Sequence, residues 1–146
     1  MTSDEALPLS GNPSHQSSTL QPFTASRALD GGLSDYSFSH TIEMEQNPWW
    51  KLDLVTEYYL GKIRVLNRHF SSDAVALRLE EAVVRAGLSD VPITDNEVCG
   101  SPVTRAQAQS RDWIEFKCDL PRLSRYVSVD IPRTTILTLV ELQVFT

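Results

Sequence analysis

Three side chains in this sequence could act together as hydrogen-bonding groups: the imidazole of His40 and the guanidinium groups of Arg68 and Arg78. A guanidinium is a planar fork that donates to two neighbouring oxygens at once, and an imidazole adds a third donor from another direction. Such a set suits a rigid, oxygen-rich ligand. Taken singly, each is equally at home as a solvated loop or strand-end residue. Their placement around one stiff scaffold is what makes them a candidate site.

That scaffold begins at Asn47-Pro48-Trp49-Trp50-Lys51-Leu52-Asp53-Leu54. From Trp50 the residues alternate, with Trp50, Leu52 and Leu54 on one side and Lys51 and Asp53 on the other, which is the pattern of a strand with one buried face. Asn47-Pro48 is a turn signal, and proline is tolerated at a strand entrance. Further strands are read over 59–66, over 77–84 (Leu77, Leu79, Glu81 and Val83 on one face), over 113–118 and over 126–131, where Val127, Val129 and Ile131 face inward. The last and longest covers 135–145. Residues 1–22 read as an extended approach, with 1–9 a flexible segment and 10–146 the folded domain. Residues 25–29 form a short helix-capable stretch with Thr24 as a cap. A turn-rich loop over 30–35 leads toward His40, and 87–111 is long, polar and without strong periodicity. Short strands separated by turn signals predict an all-β fold, an antiparallel β-sandwich or jelly roll.

The chain has 146 residues, 41% apolar and 22% charged, an ordinary composition for one domain able to bury its own core. A net charge of -6 argues against nucleic acid or an anionic membrane as the main partner, since both reward a basic face. No apolar run approaches the ~20 residues of a membrane span, so direct membrane insertion is not expected. The first six residues lack the basic start and apolar stretch of a secretion signal. That leaves a cytosolic protein or a domain excised from something larger, and the second is the preferred reading. No nucleophile elbow, phosphate-cradling glycine motif or HExxH is present, so an enzyme is not expected. The cysteines, Cys99 and Cys118, are either two buried thiols or one disulfide, which would place the domain outside the cell. Zinc is disfavoured because cysteines and histidines lack ligand spacing.

The run Ala28-Leu29-Asp30-Gly31, then His40, the 47–54 segment and Asn67-Arg68 resembles the F-type lectins, the eel-agglutinin family of fucose-binding proteins. Discoidin-type domains share parts of the pattern. The likeness continues through Glu81-Ala82, Gly87, the cysteine pair, Arg125-Tyr126-Val127-Ser128-Val129 and Val140-Glu141-Leu142, and so covers 10–145. The resemblance implies a β-sandwich jelly roll, an extracellular or cell-surface setting, a Cys99–Cys118 disulfide and a structural calcium ion. For that ion it suggests carboxylates from Asp35 and Glu141, with carbonyl or hydroxyl oxygens from Gly32, Ser39 and Val140.

The family's sugar motif maps its histidine onto His40 and its two basic positions onto Arg68 and Arg78. The spacing from His40 to Arg68 is slightly long, the Arg68–Arg78 loop is longer than usual, and Phe70 stands where the motif has aspartate. Asp73 is a candidate replacement carboxylate from that longer loop. A deoxy sugar also needs an apolar wall for its methyl group, for which Tyr36, Phe38 and Phe70 are candidates. Trp49 and Trp50 are expected in the core and at the base of the site. The implied function is a carbohydrate-binding module for fucosylated glycans or glycoproteins. Charged hydrogen bonds of about 1.5–3 kcal/mol each, less the cost of association, put a single site at about mM to µM. Useful avidity then calls for several copies, through oligomerisation or tandem domains. The alternative is a discoidin-like adhesion or recognition domain that binds protein or another glycan, its fucose site degenerate.

Overall fold

The computed structural model describes residues 5–34, 36–68 and 72–146. Its strands are β1 (Ser14–Gln16), β2 (Ser39–His40), β3 (Glu45–Gln46), β4 (Trp49–Leu66), β5 (Val83–Gly87), β6 (Val98–Cys99), β7 (Ile114–Asp130), β8 (Thr134–Thr135), β9 (Thr138–Leu139) and β10 (Glu141–Phe145). Two short helices, α1 (Asp73–Ala76) and α2 (Arg105–Gln109), lie between them. All strand pairs are antiparallel: a six-stranded sheet runs β1-β4-β7-β5-β6 with β10 also on β4, and the pairs β2–β9 and β3–β8 complete the all-β sandwich.

Alternation in the sequence translates directly into burial along β4. Trp50, Leu52 and Leu54 enter the core with Leu60, Ile63 and Val65, while Val127, Val129 and Ile131 meet them from β7 and the residue just beyond it. Full burial of each such side chain stabilises the fold by about 1.5–3 kcal/mol. Trp50 is not left with an orphaned donor, since its Nε1 donates to the Ala25 carbonyl at 3.0 Å.

Several expected boundaries move. The separate strands expected over 50–54 and 59–66 are one strand, β4, and those over 113–118 and 126–131 are one strand, β7. Register shifts between Asp53 and Tyr58 and between Leu60 and Lys62, with Val55 at φ 72, bend the pair without ending it. The early part of β4 can then pair with β1 and the late part with β10. Where a strand was expected over 77–84, the chain instead forms a 3-10 turn over Leu77–Leu79 directly after α1, and β5 starts only at Val83. Ser72 caps α1 by accepting from Val75 N–H, and Glu81 at φ 73 breaks any extended run. Three short strands, β8, β9 and β10, replace the single one expected over 135–145, because each finds a different partner. Residues 25–29 form a 3-10 turn whose Thr24 side chain caps nothing. Within 87–111, α2 is closed by a capping box between Thr104 and Gln107.

Cys99 and Cys118 form a disulfide, and no free cysteine remains. It ties β6 to β7. The packed chain extends N-terminally past residue 10: Leu9 is buried and Leu7 N–H donates to the Val144 carbonyl at 2.9 Å. No helix among the described residues is long and apolar enough to cross a membrane.

Candidate functional site

His40 sits on β2 and is held from several sides. Its backbone N–H donates to the Phe23 carbonyl at 3.1 Å, and its own carbonyl accepts from Leu20 N–H at 3.0 Å and from Gln16 Nε2 at 3.3 Å. The ring is buried and its Nδ1 bonds the Thr41 carbonyl. A carbonyl only accepts, so Nδ1 carries the proton and Nε2 presents a lone pair. Burial pushes the imidazole pKa below its ordinary 6.5, with the Arg78 and Arg68 charges adding to the effect against the opposing Thr41 bond and Glu43. The ring is therefore neutral at pH 7 and offers an acceptor, where sequence reasoning anticipated a donor.

Aromatic rings back this group. Phe23 and Phe38 stack with centroids 4.6 Å apart, and lie 6.0 and 5.9 Å from the His40 ring. Arg68 lies over Phe38 at 4.1 Å and Arg27 over Phe23 at 5.2 Å, giving a layered cation–ring–ring–cation arrangement. Each such contact contributes about 0.5–1 kcal/mol when exposed and more when desolvated, and it limits where the Arg68 guanidinium can go. Phe38, Leu66 and Val140 form a small apolar cluster of their own, with Phe23 and Trp113 packed on it.

Arg78 comes from the 3-10 turn after α1. Burial lowers its pKa from the ordinary arginine value, and the neighbouring Arg68 charge lowers it further, against Glu43. Thus the charges of Arg68 and Arg78 both act on His40, and that of Arg68 acts on Arg78. The loop between the two arginines is pinned at both ends. Asn67 Nδ2 donates to the carbonyls of Ala76 at 3.0 Å and Ala108 at 2.9 Å. Arg133 donates to the carbonyls of Leu77 at 2.9 Å, Arg78 at 3.0 Å and Glu80 at 3.1 Å. Arg133, Phe23 and Arg27 were missed from sequence. Nothing local marks them, because their partners lie far along the chain.

Asp73 lies exposed on the first turn of α1. Among the described residues, the carboxylate acting on both His40 and Arg78 is that of Glu43, which sequence reasoning did not single out. Tyr36 is 85% exposed and Phe38 only 5%, so Phe38 is the backing ring. Phe70 lies outside the described residues, as does Asp35. Trp50 belongs to the core, whereas Trp49 is only partly buried on the opposite face of β4.

A second cluster joins the first loop to the last strand. Glu141 on β10 is buried, and its Oε2 accepts from Gly31 N–H at 3.1 Å. Its Oε1 is buried with no hydrogen-bond partner among the described residues. Burial pushes the carboxyl up to about 7 against the Gly31 bond, and Asp30 pushes the same way as burial. Asp30 itself accepts from Gly32 N–H at 2.8 Å and from Ser37 Oγ. Gly31, at φ 80, holds a conformation that side chains rarely adopt, and a Cβ at Gly32 would collide with Ser37 Oγ. Ser39 Oγ donates to the Leu139 carbonyl at 3.4 Å, and Val140 N–H donates to the Leu66 carbonyl at 3.0 Å. No group of three or more His, Cys, Asp or Glu side chains converges among the described residues.

No family model matches the chain. It is 31% identical over 124 residues to Fucolectin-6 of Anguilla japonica, an overlap of 82% of this chain and 62% of that protein. The solved lectin domain of lectinolysin complexed with Lewis B antigen aligns at a TM-score of 0.78 and 30% identity, covering 97% of each chain. The serum f-lectin (fucolectin) of striped bass, Morone saxatilis, aligns at 0.80 and 28% identity, over 99% of this chain and 48% of that one. The chain belongs to the F-type lectin, or fucolectin, family, and it is a binding domain, not an enzyme. It spans 62% of the eel relative's length and about half of the bass lectin.

Proposed function

We propose that this domain recognises L-fucose in glycans, with Arg68 and Arg78 donating to sugar oxygens and His40 Nε2 accepting from a hydroxyl. The charges of Arg68 and Arg78 acting on His40, with Arg68 seated over the Phe38 ring that stacks on Phe23, carry the reading. Two cations and one neutral acceptor match a sugar, whose hydroxyls both donate and accept. The family relatives, named as fucolectins and including a lectin domain complexed with Lewis B antigen, support the same ligand class. Asp73 and Phe70 are kept as loop contacts to the glycan, with Glu43 as a nearer carboxylate.

Calorimetric titration with free L-fucose tests this. Wild type should bind between about mM and µM, and Arg68→Ala or Arg78→Ala should each weaken binding about tenfold or more through loss of a charged bond. Absence of binding at tens of millimolar fucose would leave the discoidin-like alternative, recognition of protein or another glycan.

Calcium belongs to the same proposal. A buried carboxylate with one unsatisfied oxygen, a neighbouring acid and a glycine-shaped turn fit a hard cation that takes oxygen ligands. Glu141 would hold it, with Gly32, Ser39 and Val140 as oxygen donors and Asp35 as the second expected carboxylate. Bound there, the ion would brace the turn after residue 29 against β10. An extracellular setting fits the disulfide and the serum origin in the bass lectin's name, and clustering of copies would supply avidity.

A further inference from the structure

A groove of about 510 Å³ opens on the outer face of the sheet, and none of its lining residues belongs to the His40, Arg68 and Arg78 cluster. Its floor is set by strand register: Trp49 pairs with Asp130, and Lys51 and Arg85 flank Ser128 on neighbouring strands. The 88–97 connection supplies the opposite wall through Val91, Pro92 and Ile93.

The charges in this groove are already matched. Arg85 Nε meets Asp130 Oδ1 at 2.8 Å, with side chains 19% and 13% exposed. Lys51 Nζ meets Asp90 Oδ1 at 2.7 Å and also lies 5.4 Å from the Trp49 ring centroid, which limits the indole's freedom. An ionic ligand would face both signs with no surplus of either. What the pairs leave over is hydrogen-bonding capacity without net charge. Among the described residues, Oδ2 of Asp130, Oδ2 of Asp90 and the Asn47 side-chain amide make no hydrogen bond.

We propose that this groove is a second saccharide site, taking a neutral mono- or disaccharide whose apolar ring face lies against Trp49 and whose hydroxyls donate to Asp130 and Asp90. A pyranose combines a flat carbon–hydrogen face with peripheral hydroxyls and no charge, which is what a tryptophan-lined groove with neutralised ion pairs and free acceptors accommodates. The volume lies within the range of small-ligand sites, about 300–1,000 Å³. The domain would then present two sugar contacts on one chain.

The test uses the full chain, labelled with ¹⁵N, as the Arg68→Ala, Arg78→Ala double variant, so that a result here is separate from the fucose reading. Lactose, cellobiose and chitobiose are titrated to tens of millimolar while the tryptophan indole Nε1–H resonances are followed, Trp49 being assigned from a Trp49→Phe sample. At least one disaccharide should shift the Trp49 resonance saturably. Val91→Arg, at a rim position 80% exposed and so compatible with folding, should weaken that binding roughly tenfold or more. No shift with any of the three sugars overturns the proposal, and so does a shift that Val91→Arg leaves unchanged. A response to a proline-rich peptide with none to sugar would also overturn it, marking a protein-docking groove instead.

Discussion

Replacing Glu141 with glutamine should stabilise the calcium-free domain at neutral to alkaline pH, although it alters a buried residue at the end of a core strand. The carboxyl titrates at about 7 in the folded chain against 4.5 without the fold. Between those values the folded state binds more protons than the unfolded one, so stability falls as pH rises, and the full cost applies above about 7. At about 1.4 kcal/mol per pH unit, the displacement sets a ceiling near 3 kcal/mol, lowered by whatever solvent screening reaches the loop. The Glu141→Gln amide would keep an oxygen for Gly31 N–H and lose the charge. For a domain of this size about 1 kcal/mol moves Tm by roughly 2–4 °C, so a difference of several degrees is measurable by calorimetry. In chelator at pH 8 the variant should melt above wild type, and near pH 4.5 the two should coincide. Calcium should raise the wild-type Tm at pH 8 by binding the ionised carboxylate, and should leave the variant nearly unmoved. A variant that melts below wild type in chelator at pH 8 refutes the buried-charge argument. A wild type indifferent to calcium refutes the ion.

Fucose affinity should decline at the acidic pH where His40 takes up a proton, which burial sets below the ordinary imidazole range, because the protonated ring loses its acceptor and adds a positive charge near Arg68 and Arg78; fucose titrations stepped down from pH 7.5, with the His40 ring followed by NMR, would show it, and affinity unchanged through the ring's own titration would count against the neutral-ring role. The stability His40 contributes has the same sign, being present above about 6.5 and lost below it. Arg133→Ala removes the donors that hold the Leu77, Arg78 and Glu80 carbonyls, so it should cost about 2 kcal/mol in denaturant unfolding and weaken fucose binding with no direct sugar contact. Unchanged affinity would show that the turn keeps Arg78 in place unaided. Reducing the Cys99–Cys118 bond, whose partners are 19 residues apart, should lower stability by about 3 kcal/mol in the chain-entropy picture, read from the shift in denaturant midpoint.

Period-2 alternation makes the core legible in the sequence, because a residue's face on a strand depends only on parity. Trp50, Leu52, Leu54, Val127, Val129 and Ile131 are buried as the alternation requires. The same rule misread 77–84, where Leu77 and Leu79 suit a short helical turn equally well and only Glu81's left-handed backbone breaks the strand. Thr104 and Gln107 carried a readable capping signal for α2 that the polar surroundings of 87–111 obscured.

Residue types and order were enough to place this chain in its family and to name His40, Arg68, Arg78 and Glu141, since a motif records which chemical groups are present. Tertiary structure decided the state of those groups. The tautomer of His40 follows from the Thr41 carbonyl, the seating of Arg68 from the stacked Phe23 and Phe38, and the pKa of Glu141 from its burial beside Asp30. Hydrogen bonding and desolvation act through space over a few ångströms, between residues as far apart in the chain as Gly31 and Glu141. Linear order does not encode those distances.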